Sequence, residues 1–292
     1  MPVLTFRRRL SALLGAIIVL AAGGAEAAPS WWRVSNGRSE VWILGAPRIV
    51  PKDLAWDTRA ADRRLSGAAA VIVGPRAHGS LQAAGLIFSS FSLQPLEDSL
   101  PVELRRRFVA ARESLGKPAD RYANWKPAAA SKLLLDDFFA SANLQQGGVE
   151  AAVVKMAEAH GARVVPAGEF DPQVLISQAK SLSQSSQLTC LDASVHDVER
   201  GAAVIRSVAA DWSRGGTGDA PIDRIDRACV VTLPAIDVQA ETTLAQESAA
   251  VARAVNGSGR TIAVFELHNL TQPGGVIDRL RAMGLEVSGP MP

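Results

Sequence analysis

Apolar and polar positions alternate with a period of two on both sides of Asn36-Gly37. Trp32 and Val34 before it, and Val41 and Ile43 after it, take one face of a pleated strand, and Asn-Gly is the strongest short hairpin signal. The pattern predicts a hairpin over Trp31–Leu44. Pro47 has no N–H to give to a ladder, so pairing is expected to stop there. Lys52–Ser66 carries helical spacing. Ala68–Val73 is a short continuous apolar run bounded by Gly67 and Gly74, which suits a buried parallel strand. Strand, helix and strand in this order make a βαβ-like opening.

The middle of the chain switches to a 3.6-residue period. Leu104, Phe108, Ala111 and Leu115 share a face in a helix predicted over Pro101–Leu115, with Pro101 near its first turn. Tyr122–Phe139 reads as a helical region interrupted by Pro127. Ser80–Ser99 shows no single period. Val149, Val153, Met156 and Ala157 line one face of a helix over Val149–His160, capped by Gly161 and followed by a strand at Arg163–Pro166. Asp171–Asp211 is mostly helical, Gly215–Asp219 is a loop, and residues 222–232 are ambiguous. An Ala-rich helix over Glu241–Val255 leads through Asn256–Gly259 into Thr261–Phe265, a β-branched run that reads as a buried strand. A helix over Val276–Met283, a C-cap at Gly284 and an extended segment over Leu285–Ser288 complete the pattern. The fold class is α/β: a mixed or mostly parallel sheet with surrounding helices and a helical insertion roughly from Ser80 to Ser213.

The N-terminus changes the picture of charge. Arg7–Arg9 followed by the apolar run Leu10–Ala22 and the Ala25-Glu26-Ala27 triplet match a secretory signal peptide over residues 1–27. The expected mature chain, 28–292, is then a single domain in the periplasm or outside the cell. Residues 1–27 hold three of the 31 basic and one of the 29 acidic side chains, so 28 of each sign remain. A neutral chain has no electrostatic footprint for nucleic acid. No later stretch is long and apolar enough for a membrane helix, so no stable span is expected after cleavage. Cys190 and Cys229 are the two cysteines, and in an exported chain such a pair is most simply a disulfide.

Chemistry concentrates at the end of the last long strand. Glu266-Leu267-His268 puts an acid and an imidazole where open α/β sheets bind ligands, outside the carboxyl ends of the strands. Glu266 lies on the same strand two residues before His268, so both side chains are expected to point to one face and could act as an acid–base pair. The bland alternative is a hydrogen-bonded pair lining a cleft. His160 lies at a helix's end, where a cation is structurally favourable. His78 and His196 lack neighbouring metal-ligand spacing. Gly215-Gly216-Thr217-Gly218 is not followed by Gly-Lys-Ser/Thr, so it reads as a loop and not a phosphate cradle. No Gly-x-Ser-x-Gly elbow occurs.

Taken together, the Trp-rich hairpin running into Trp42-Ile43-Leu44-Gly45-Ala46-Pro47-Arg48, the apolar strand Val71-Ile72-Val73 ending at Gly74, the Val149 helix with Val164–Glu169, and Phe265-Glu266-Leu267-His268 with its glycine turn and helix resemble the TraB/GumN family, which includes Tiki-type metalloproteases. The resemblance runs from about Trp31 to the C-terminus. It implies a divalent metal such as Mn, Co or Zn held by two Gly-x-x-His histidines and a strand-end acid. In this chain those positions read Arg48, His268 and Gly74, so only His268 can serve as a metal ligand. Arginine is always protonated and offers no lone pair. The resemblance therefore implies a protein of this family with a degenerate metal site, expected to need no cofactor and to act in binding or regulation. The alternative is an active hydrolase rebuilt around Glu266 and His268, with a divalent metal (Mn, Co or Zn) on His268 if the site is retained. Arg48 has two readings, an anchor for a small anion or peptide carboxylate and an ion-pair partner of Glu266.

Overall fold

The computed structural model describes residues 28–77, 91–173, 181–218 and 234–291. Trp31–Ser35 (β1) and Glu40–Ala46 (β2) form the expected antiparallel hairpin. Asn36 holds the turn: its Oδ1 accepts from the N–H groups of Arg38 and Ser39, both at 3.0 Å. The guanidinium of Arg64 lies 4.6 Å from the Trp31 ring and 4.4 Å from the Trp42 ring, a cation–π cover for the hairpin.

Ile49–Pro51 (β3) leads into a turn instead of the full helix expected from Lys52. The helix, α1, covers only Arg59–Leu65. An Asx turn precedes the late start: Asp57 Oδ1 accepts from the Arg59 N–H at 2.9 Å, just ahead of the first helical turn. Ala68–Val73 (β4) and Arg76–Ala77 (β5) follow. Next come Leu96–Ser99 (α2), Val102–Ser114 (α3) and Pro127–Ser141 (α4). Pro127 does not interrupt a helix over 122–139; it opens α4 at the first position, where a missing N–H is harmless. Leu144–Gln146 (β6) pairs with β3. Gly148–Ala159 (α5), Arg163–Pro166 (β7) and Glu169–Phe170 (β8) come next. Gln184–Arg200 (α6), Ala203–Trp212 (α7) and Pro234–Val255 (α8) are the remaining long helices among the described residues. Arg260–Glu266 (β9), Leu267–Thr271 (α9), Val276–Ala282 (α10) and Glu286–Met291 (β10) close the described chain. Gly284 ends α10 with φ 79°, as its C-cap role predicts.

The main sheet has six strands in the order β10-β1-β2-β9-β4-β7. The β10-β1 and β1-β2 pairs are antiparallel and the other three parallel. The fold is therefore α/β with a mixed, mostly parallel sheet. The strands of the predicted βαβ opening, β2 and β4, are not neighbours, because β9 from the far end of the sequence lies between them. Thr261 through Phe265 are all buried, so both faces of β9 are covered, which explains its unbroken apolar run.

Two apolar cores form among the described residues. One surrounds the sheet and takes Val149 and Val153 from α5, Val251 and Val255 from α8, and Val276 and Leu280 from α10. The other unites Leu104 and Phe108 of α3, Leu134 and Phe138 of α4, and Leu191 and Val195 of α6. The expected insertion over Ser80–Ser213 is thus divided. Its helices build the second core, but residues 148–166 return to the sheet as α5 and β7, because β4 needs a parallel neighbour on its outer side. Of the Gly215–Asp219 loop, Gly215 receives the Ser30 hydroxyl on its carbonyl at 2.6 Å, a packing role. Among the described residues no helix is long and apolar enough to cross a membrane. The expected signal peptide, His78, residues 222–232 and Cys229 lie outside the described residues. Cys190 is buried on α6.

Candidate functional site at the strand ends

The parallel register sets Ala46 of β2 beside Glu266 of β9, with β4 alongside, so the carboxyl ends of three strands open together. Arg48 follows β2, Gly74 follows β4, and Glu266 is the last residue of β9. The Arg48 Nε lies 3.8 Å from Glu266 Oε1, with both side chains over a third exposed. Of the two readings of Arg48, the ion pair is the one the geometry brings together. At that exposure and distance it contributes no more than about 1 kcal/mol.

Glu266 and His268 do not share a strand face. β9 stops at Glu266, and Leu267 opens α9, so the two-residue alternation no longer applies. Packing explains the change. Leu267 and Leu270, three apart on a helix, both reach Gly45 of β2. A Cβ on Gly45 would stand 2.7 Å from Leu267 Cδ1 and 3.1 Å from Leu270 Cδ2. Only a bare backbone admits α9 at this distance. The Gly45 carbonyl also accepts the buried Trp212 indole N–H at 2.7 Å, which ties α7 to the same spot. His268 sits half-buried on α9.

The residue that dominates the site is one the sequence reading missed. Glu247 of α8 is buried at 2% exposure. Burial pushes its carboxyl up to about 8; the nearby charges of Glu266 and Glu150 act in the same direction, and a hydrogen bond from Asn269 of α9 opposes them. Its Oε2 is buried with no hydrogen-bond partner among the described residues. Glu150, in the first turn of α5, is bound by Arg76 Nη2 at 2.9 Å. A signal for Glu247 does exist in the sequence: Leu244, Glu247, Val251 and Val255 fall on one helical stripe, where a lone acid interrupts an apolar face.

His160 and His196 lie away from the strand ends, while His78 is outside the described residues. His160 caps α5, and its Nε2 meets Asp62 Oδ1 at 2.8 Å. His196 is exposed, with Nδ1 3.9 Å from Glu199.

A model of the TraB/PrgY/gumN family matches residues 30–289. The match spans nearly all of the chain, and the chain belongs to that family. No curated protein and no solved structure gives a match.

The family resemblance implies a divalent metal at these strand ends. Arg48 presents a guanidinium, Gly74 presents no side chain, and His268 alone has a lone pair to offer. Among the described residues no three His, Cys, Asp or Glu side chains are grouped to hold a metal ion. These three positions do not fit a divalent ion, since such sites take three or four protein ligands.

Proposed function

We propose that this chain is an exported TraB/GumN-type domain that has given up metal-dependent hydrolysis and acts by binding a peptide or a small ligand. The observation that carries the reading is the Arg48–Glu266 pair at 3.8 Å, which puts a fixed positive charge at the strand ends where the family resemblance implies a metal. Cleavage near Ala28, a periplasmic or extracellular location and a Cys190–Cys229 bridge belong to the same proposal, supported by the Arg7–Ala27 leader pattern. The balanced charge of residues 28–292 speaks for partners other than nucleic acid. The test is a peptidase assay on unstructured peptides with the purified chain and His268→Ala. No His268-dependent cleavage is expected. Robust cleavage that the substitution abolishes contradicts the proposal.

A second reading, a hydrolase rebuilt around Glu266 and His268, is favoured by Glu247. A buried carboxyl held protonated beside a solvated one is an acid–base arrangement. Activity that survives Glu266→Gln, His268→Ala and Glu247→Gln unchanged would end it.

A further inference from the structure

The gap that Gly74 leaves at the end of β4 is walled by acids from two helices. A Cβ on Gly74 would have Glu150 Oε2 and Glu247 Oε1 as its nearest neighbours, each at 3.8 Å. That is ordinary contact distance, so a methyl-sized space at Gly74 borders on both carboxyl groups. Gly74 and Glu150 are partly exposed, so the space is open to solvent on that side. Among the described residues, Arg76 sits on Glu150 and Arg48 on Glu266, the outward acids. Among the described residues Glu247, buried to 98%, receives the Asn269 amide, and its Oε2 is left without a donor. A buried acceptor in this condition is unfavourable until a donor arrives.

We propose that the Gly74 gap binds a primary ammonium group, carried by a small amine or by the amino terminus of a peptide, with Glu247 and Glu150 as its acceptors. An ammonium brings three N–H donors in a compact head, which suits a gap faced by Glu150 Oε2 and Glu247 Oε1. Its single charge suits a site where carboxyl groups from α5, α8 and β9 converge, and the same convergence repels anions. Asn269 acts as a positioning residue, fixing Glu247 through the helix that Gly45 admits. This inference rests on the binding reading above and names the ligand class for it.

Isothermal titration of the purified chain with butylamine, tri-alanine, N-acetyl tri-alanine and manganese chloride tests it. Amine binding is expected with butylamine and tri-alanine and not with the N-acetylated peptide. Binding of tri-alanine alone also supports the site and assigns it to a peptide amino terminus. Glu247→Gln should weaken the amine at least tenfold, and Gly74→Val, which fills the gap, should abolish it. Circular dichroism checks that both variants fold, and Gly74→Ala replaces the valine variant if it does not. No amine binding, or binding that neither variant alters, overturns the proposal. Manganese binding lost in the valine variant, with amines inert, also overturns it. Either failure leaves the binding reading of the domain standing, whereas His268-dependent peptidase activity removes that reading whatever the amines do.

Discussion

Asp137 in the helical core and Glu247 at the sheet's end are both buried, at 6% and 2% exposure, yet their surroundings differ. Asp137 accepts from Arg121 Nε at 2.9 Å and Tyr122 Oη at 2.7 Å, and pairs with Lys117 Nζ at 3.1 Å. Burial pushes its carboxyl up, but the bonds from Arg121, Tyr122 and Lys117 outweigh burial and hold it below the ordinary carboxylate value. Glu247 meets two other acids and one amide, and its carboxyl rises. A saturated buried acid ties segments together. An unsaturated one stores a demand for a ligand, and it lies where parallel sheets put their sites.

Breaking the saturated hub should have the largest effect. Asp137→Ala leaves two cations and a buried phenol without their acceptor. It should cost about 2–4 kcal/mol of unfolding free energy, read from urea titrations. The unsaturated acid should behave in the opposite sense. The folded value of about 8 lies above the ordinary 4.5, so between these pH values the folded chain keeps a proton that the unfolded chain has lost. Stability therefore falls as pH rises from about 4.5 to 8. Asp197, which burial pushes up to about 7, adds a loss of the same sign. Glu247→Gln should remove its own share, raising stability at pH 8 relative to pH 5 by about 1–4 kcal/mol against the parent chain. A slope unchanged by the substitution would show that Glu247 titrates normally. The smallest effect belongs to the solvated pair: Arg48→Ala should move the urea midpoint by less than about 1 kcal/mol of free energy.

Much of the framework was legible because it is local. The Asn36-Gly37 hairpin, the apolar runs of β4 and β9, the Val149–Ala157 face of α5 and the Gly284 cap each follow from a period or a turn residue within a dozen positions. The family was legible too, from strand ends spaced along the whole chain. Glu150 and Glu247 were not, because what unites them is the placement of β4 beside β9 and of two helices at their ends. No local pattern encodes that convergence, although the lone acid on the Leu244–Val255 stripe hinted at half of it. His268 was mis-set for a similar reason. Its strand ends two residues early because Gly45, over two hundred residues away, leaves room for Leu267 and Leu270.

The most direct test of the central claim, that the strand ends no longer form a metal centre, is the metal content of the chain purified without chelator, compared with His268→Ala. The account predicts no stoichiometric manganese, cobalt or zinc in either protein. One metal per chain in the parent, lost in the variant, would contradict it.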